Sequence, residues 1–90
     1  FFKVRYERCS LADKKFIFAM VKCGELPCTI SNIATNLHKP VKSISPTRAQ
    51  LINKGLVYAA RYGELDFTVP EFTGFIQRQE DYTKWCSTEA

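Results

Sequence analysis

Four cysteines, one histidine and nine carboxylates are the residues of this 90-residue chain best suited to covalent or metal chemistry. Their spacing argues against both. Cys9, Cys23, Cys28 and Cys86 form no C-x-x-C, and Cys23 with Cys28 makes a C-x4-C that has no second pair. A zinc site needs four good ligands, and only His38 is available to join the cysteines. A disulfide framework goes with a secretory leader and denser cysteine. We therefore expect reduced cysteines, no metal, and His38 at a helix end or on the surface. No G-x4-G-K-[ST] and no H-E-x-x-H is present, and no Ser or Cys stands in a nucleophile motif. The expectation is a chain that is not an enzyme and takes no cofactor.

A different chemistry is better represented. Thr47, Gln50 and Lys54 stand at i, i+3 and i+7, the spacing of one helical face, with Asn53 at its edge. Such a face carries the donors and acceptors that read base edges in a major groove. Lys39 and Lys42 precede it and Arg61 follows it, where they are placed to neutralise phosphates. The charge distribution agrees. The net charge is +4, but residues 29–54 hold Lys39, Lys42, Arg48 and Lys54 and no acid, whereas residues 70–90 hold two basic and four acidic side chains. An acid-free stretch of this length is a candidate anion-facing surface. Arg48 lies three residues before Leu51 and four before Ile52, on or beside the buried face. We expect it to be structural, bonded to carbonyls or to Glu7, Asp13 or Glu71, with DNA contact as the alternative.

These residues need elements to position them. A 90-residue domain buries only about 60–65% of its unfolded surface, so one core is expected and no second lobe. No apolar run approaches the ~20 residues of a membrane span, and Phe1-Phe2-Lys3 opens neither on Met nor on a signal sequence. We expect a cytoplasmic piece of a longer protein. Phe1 to Arg8 reads as the end of a helix. Ser10-Leu11-Ala12-Asp13 is a capping box, opening a helix that runs to about Lys22 with Asp13, Phe16, Ile17 and Met20 on one side and Gly24 as its stop. Phe18 points elsewhere, as a candidate exposed aromatic. Thr29 or Ser31 caps a short second helix, ended by His38-Lys39-Pro40. Ser45-Pro46 reads as the start of a third helix that runs to Lys54, with Ala49, Leu51 and Ile52 as its apolar set and Gly55 as its stop. Leu56–Ala60 and Leu65–Val69 then follow period 2 around an Arg61–Glu64 turn, as a hairpin. Pro70 opens a last helix with Phe72, Phe75 and Ile76 on one face, and residues 83–90 are expected to fray, with Trp85 able to dock.

The fold class expected is α+β and mostly helical: a winged helix-turn-helix over residues 1–82, with a three-helix core, a two-stranded wing and flanking N- and C-terminal helices. The string S-P-x-R-x-x-L-I-x-K-G-L-V-Y at Ser45–Tyr58, and G-x-x-x-F-T-V-P-x-F at Gly63–Phe72, resemble the C-terminal winged-helix domain of prokaryotic AAA-type ATP-binding proteins, which are similar to origin-recognition ATPases. His38-Lys39 stands where that family usually has a Gly-Arg or Gly-Lys pair. The resemblance implies an ATPase domain upstream, as a partner of the same chain, and a tail domain that binds double-stranded DNA or reports to its own ATPase. Two readings follow. In the first, Lys39, Lys42, Thr47, Gln50, Asn53, Lys54 and Arg61 hold DNA. In the second, the domain docks protein through Phe18, Trp85 and Tyr62. A net acidic wing (Arg61 against Glu64 and Asp66) favours the second.

Overall fold

Six consecutive residues, Phe16 to Val21, are each 5% exposed or less. They lie on the first helix, α1 (Leu11–Lys22), and a helix buried on nearly all sides must be wrapped by other elements. The computed structural model, which describes residues 6–24, 26–69 and 71–89, shows that wrapping. After α1 come β1 (Cys28–Thr29), α2 (Ile30–Leu37), α3 (Val41–Asn53), β2 (Val57–Arg61), β3 (Glu64–Phe67), α4 (Phe72–Gln77) and α5 (Glu80–Glu89). The result is a mostly helical α+β domain in which α1 packs against each of the other four helices, with α2 against α3 and α4 against α5. No helix of the described residues is long and apolar enough to cross a membrane.

Local signals set the ends of α1. Ser10 Oγ accepts the Asp13 N–H at 3.2 Å, and Asp13 Oδ2 accepts the Ser10 N–H at 3.2 Å, so two otherwise unpaired donors are satisfied. Gly24, at φ 81°, turns the chain out of the helix. Phe18 is not exposed. At 3% exposure it sits among Tyr6, Tyr82 and Trp85, with ring centroids 6.3, 5.6 and 5.8 Å away. The expectation failed because α5 covers this side of α1. Residues 83–89, expected to fray, continue as helix, and Trp85 is 7% exposed. The expected entry helix at Phe1 to Arg8 and the Pro70 start of the last helix fall largely or wholly outside the described residues.

The sheet has three strands rather than two, in the order β1-β3-β2. β1 pairs antiparallel with β3, Cys28 opposite Leu65 and Thr29 opposite Glu64. The expectation of reduced cysteines holds for Cys9 and Cys86 and needs correcting for the other two, because Cys23 and Cys28 form a disulfide that joins the end of α1 to β1. On the other side of β3, β2 runs with Val57 opposite Phe67 and Ala59 opposite Leu65, and an irregularity between Ala59 and Arg61. Val57, Leu65 and Phe67 point into the core.

A short helix, α2, and the longest among the described residues, α3, follow one another after β1. Thr29, not Ser31, caps α2, with Oγ1 accepting the Asn32 N–H at 3.2 Å. His38 then adopts φ 56°, the left-handed conformation that glycine takes more easily, and the chain reverses through Lys39 and Pro40. α3 starts at Val41, five residues before the expected Pro46. Proline inside a helix deprives one carbonyl, here that of Lys42, of its N–H partner. Lys42 and Pro46 are both on the exposed side, where water replaces that bond, so the helix tolerates it. Ser45 caps nothing; its Oγ donates to the Val41 carbonyl at 3.0 Å. The earlier start brings Ile44 into the core beside Leu51, and Ala49, expected inside, is exposed.

Candidate nucleic-acid interface

α3 turns three different faces to its surroundings, and the expected site residues divide among them. Ile44 and Leu51 face the core. Lys42, Pro46, Ala49, Gln50 and Asn53 are exposed, and Lys39 stands exposed in the turn before the helix. These form an outward polar stripe, because positions 42, 46, 49 and 53 repeat at helical spacing. The stripe includes Gln50 and Asn53 as expected, with Lys42 inside the helix rather than in the turn.

Thr47 and Lys54 lie on the flank that faces α1. Thr47 is half-buried and lines a cavity of about 120 Å³ with Ala12, Lys15, Leu37 and Lys39. Lys54 reaches across to Asp13, with Nζ 2.6 Å from Oδ2. Asp13 is fully buried, and its Oδ1 has no hydrogen-bond partner among the described residues. A buried carboxylate needs a cation, and Lys54 supplies it. The hydrogen bond to Asp13 raises the Lys54 pKa above its ordinary value. Next to the pair, burial and the Asp13 charge raise the Cys9 thiol, against a smaller opposing effect of Lys54 and Lys14. Lys54 is therefore held by the protein's own carboxylate, the role expected of Arg48.

Arg48 occupies the third face, towards the hairpin. It is half-exposed and makes no hydrogen bond or ion pair with any described residue. With Val41 and Ser45 it forms one wall of a groove of about 680 Å³; Ala59, Arg61, Tyr62 and Gly63 form the other, and Ile30 is at the base. Arg61 is exposed, and Tyr62 at the hairpin tip is entirely so, at 105% of its reference area. Among the described residues, no carboxylate lines this groove. The acids of the hairpin lie elsewhere. Asp66 lines a separate hollow with Tyr58, Thr68 and Thr73, and its Oδ1 accepts the Phe67 N–H at 2.7 Å. Glu64 is half-buried opposite Arg61 and Thr29 without forming an ion pair among the described residues.

The docking surface expected from aromatics is reduced to one residue. Phe18 and Trp85 are in the core, so of the three expected aromatics Tyr62 alone is exposed. Among the described residues, no three His, Cys, Asp or Glu side chains gather where they could hold a metal. The spacing of Asp13 on the apolar side of α1 was the signal for the Lys54 pair, since a carboxylate on a buried stripe demands a partner. Nothing in the local pattern indicated that Arg48 would face the hairpin, because that depends on where β2 packs.

Comparison with curated proteins and with solved structures finds no match to this chain. A family model does match, over residues 1–76, from before α1 to the end of the Phe72–Ile76 stretch of α4. That span takes in every residue of the polar stripe and of the groove, and the chain belongs to the family described as Domain of unknown function (DUF8462).

Proposed function

We propose that this chain is a winged-helix module that binds double-stranded DNA, as the tail domain of an AAA-type ATPase that the motif resemblance suggests. In this reading α2 and α3 are the helix-turn-helix, β2–β3 is the wing, and α3 enters the major groove with Gln50 and Asn53 towards base edges. Lys39, Lys42 and Arg61 contact phosphates. The observation that carries the reading is the segregation of charge around α3. The cation on its inner flank is paired with a buried acid. The basic groups on its outer side have no acid partner among the described residues and share that side with Gln50 and Asn53. The acids of the hairpin, which favour a docking module in the sequence, do not line the α3 side.

The test is a fluorescence titration of the chain on a random-sequence 20-base-pair duplex at two salt concentrations. Three or four phosphate contacts give a slope of log K against log salt of about −3 to −4. Gln50→Glu with Lys42→Glu abolishes binding while the melting temperature holds, since both side chains are exposed. A wild-type chain that binds no duplex at low salt refutes the reading.

A further inference from the structure

We propose that the groove between α3 and the β2–β3 hairpin is the seat of one sugar–phosphate strand of duplex DNA, with Arg48 and Arg61 on its phosphates. The proposal rests on the DNA reading above and adds to it a residue, Arg48, that the recognition stripe does not contain.

Chemistry selects the occupant. The groove has a guanidinium on each wall, Arg48 from α3 and Arg61 from β2, and no carboxylate among the described residues of its lining. Guanidinium groups present planar forks of donors that match phosphate oxygens. A half-buried arginine with no acceptor among the described residues is a costly arrangement that an anionic ligand would relieve. Val41, Ala59 and Ile30 add apolar surface to the same lining. A nucleic-acid backbone presents deoxyribose carbon as well as phosphate charge, and this lining offers surface for both. Tyr62 stands at the rim, amphipathic and free of any contact within the fold that would bury it. β2 is an edge strand, so its outer row of backbone groups has no sheet partner.

Continuity favours DNA over an acidic peptide. The groove wall formed by Val41, Ser45 and Arg48 belongs to the same helix as Lys42, Gln50 and Asn53. A duplex engaged by the outward stripe would bring a flanking strand over that wall. An acidic peptide would have no use for the stripe.

The experiment uses the same labelled duplex, at about 0.1 M salt, with the wild-type chain and the variants Arg48→Ala, Arg48→Gln and Lys42→Ala. Arg48→Ala is expected to weaken binding about fivefold to tenfold, equally on unrelated sequences, and to make the salt slope shallower by about one. Its melting temperature stays at the wild-type value, because no intramolecular partner is lost. Arg48→Gln, which keeps most of the side chain's packing, gives the same binding loss should the alanine variant fail to fold. If Lys42→Ala weakens binding and both Arg48 variants leave affinity and slope unchanged, the groove assignment is overturned and the DNA reading survives. If the wild-type chain binds no duplex, both fall. Tighter binding to a 20-nucleotide single strand, lost in Tyr62→Ala, overturns the duplex seat in favour of an unpaired strand. Competition by polyglutamate that depends on Arg48 but not on Lys42 overturns it in favour of an acidic peptide.

Discussion

On the flank of α3 that faces α1, Lys54 holds the fully buried carboxylate of Asp13 at 2.6 Å. On the flank that faces the hairpin, Arg48 stands over a groove with no carboxylate among its described residues. The two cations are six residues apart on or beside one helix, yet one is paired within the fold and the other makes no ion pair among the described residues. The same contrast extends to the aromatics. Phe18, Tyr82 and Trp85 close over α1 and are consumed by packing, while Tyr62 is wholly exposed at the hairpin tip. Composition treats these residues alike; their neighbours decide which of them remain available to a ligand.

The comparison is broken most forcefully at Phe18. Truncating a buried aromatic costs about 3–5 kcal/mol, so Phe18→Ala should lower the melting temperature by upwards of about 12 °C. A change of a degree or two in a thermal scan would mean that α5 does not cover α1 and that Phe18 belongs with Tyr62 as a surface aromatic.

Lys54 comes next. Removing one member of a buried ion pair costs about 3–5 kcal/mol, less here because the Lys54 side chain is one-third exposed. We expect Lys54→Ala to cost about 2–3 kcal/mol, with Asp13→Asn restoring much of it in the double variant because the stranded charge is gone. Arg48→Ala, in the same assay, should cost less than about 0.5 kcal/mol. Equal losses for the two variants would remove the distinction between the flanks.

The smallest effect is a pH dependence. Burial pushes the phenols of Tyr6 and Tyr82 up to about 12 from 10.0, helped by Asp81 beside Tyr6 and by Cys86 beside Tyr82. Lys54 is raised too, by its bond to Asp13. For each group the folded pKa lies above the unfolded one. The stabilisation is therefore complete below the unfolded value and disappears as pH rises through the folded value. With the Cys9 thiol raised from 9.0 in the same sense, the melting temperature should hold from neutral pH to about 9 and fall between about 9 and 12, more shallowly in Tyr6→Phe and Tyr82→Phe. A decline that begins at neutral pH would show that other groups control stability.

The parts of the fold visible in the sequence are those governed by neighbours along the chain. Ser10 and Asp13 cap α1 as their three-residue spacing implies, and Gly24 stops that helix. The hairpin reverses where Gly63 supplies a positive φ. What the sequence hid depends on distant contacts or on a local signal with two meanings. Ser45-Pro46 has the form of a helix start, but the apolar Ile44 just before it already belongs to the core side of α3. Phe18 and Trp85 are separated by nearly the whole domain, so their meeting leaves no periodicity to read. β1 is two residues long and exists only because β3 offers it an edge. Within the candidate site, Gln50, Asn53, Lys39 and Lys42 are exposed as their polarity suggests. Lys54 takes the structural pairing expected of Arg48 because the sequence does not say which cation Asp13 will meet.

The hairpin is anchored at its turn end, through the middle strand of the sheet. β3 is paired to β1 through Cys28 and Thr29, and the Ile30 N–H donates to the Gly63 carbonyl at the turn, 3.0 Å away. β1 is itself tied to α1 by the Cys23–Cys28 bridge. A hairpin fastened in this way has little freedom to swing towards or away from α3, so the gap between them is set before any ligand arrives. Closing on a ligand would then order few residues, and the entropy that a loose two-stranded arm loses on association is largely absent. Freeing β1 from α1, by reduction or by replacing Cys28 with serine, would therefore be felt at Arg61 and Tyr62 as a loss of preorganisation, although neither residue touches the cysteines' bridge.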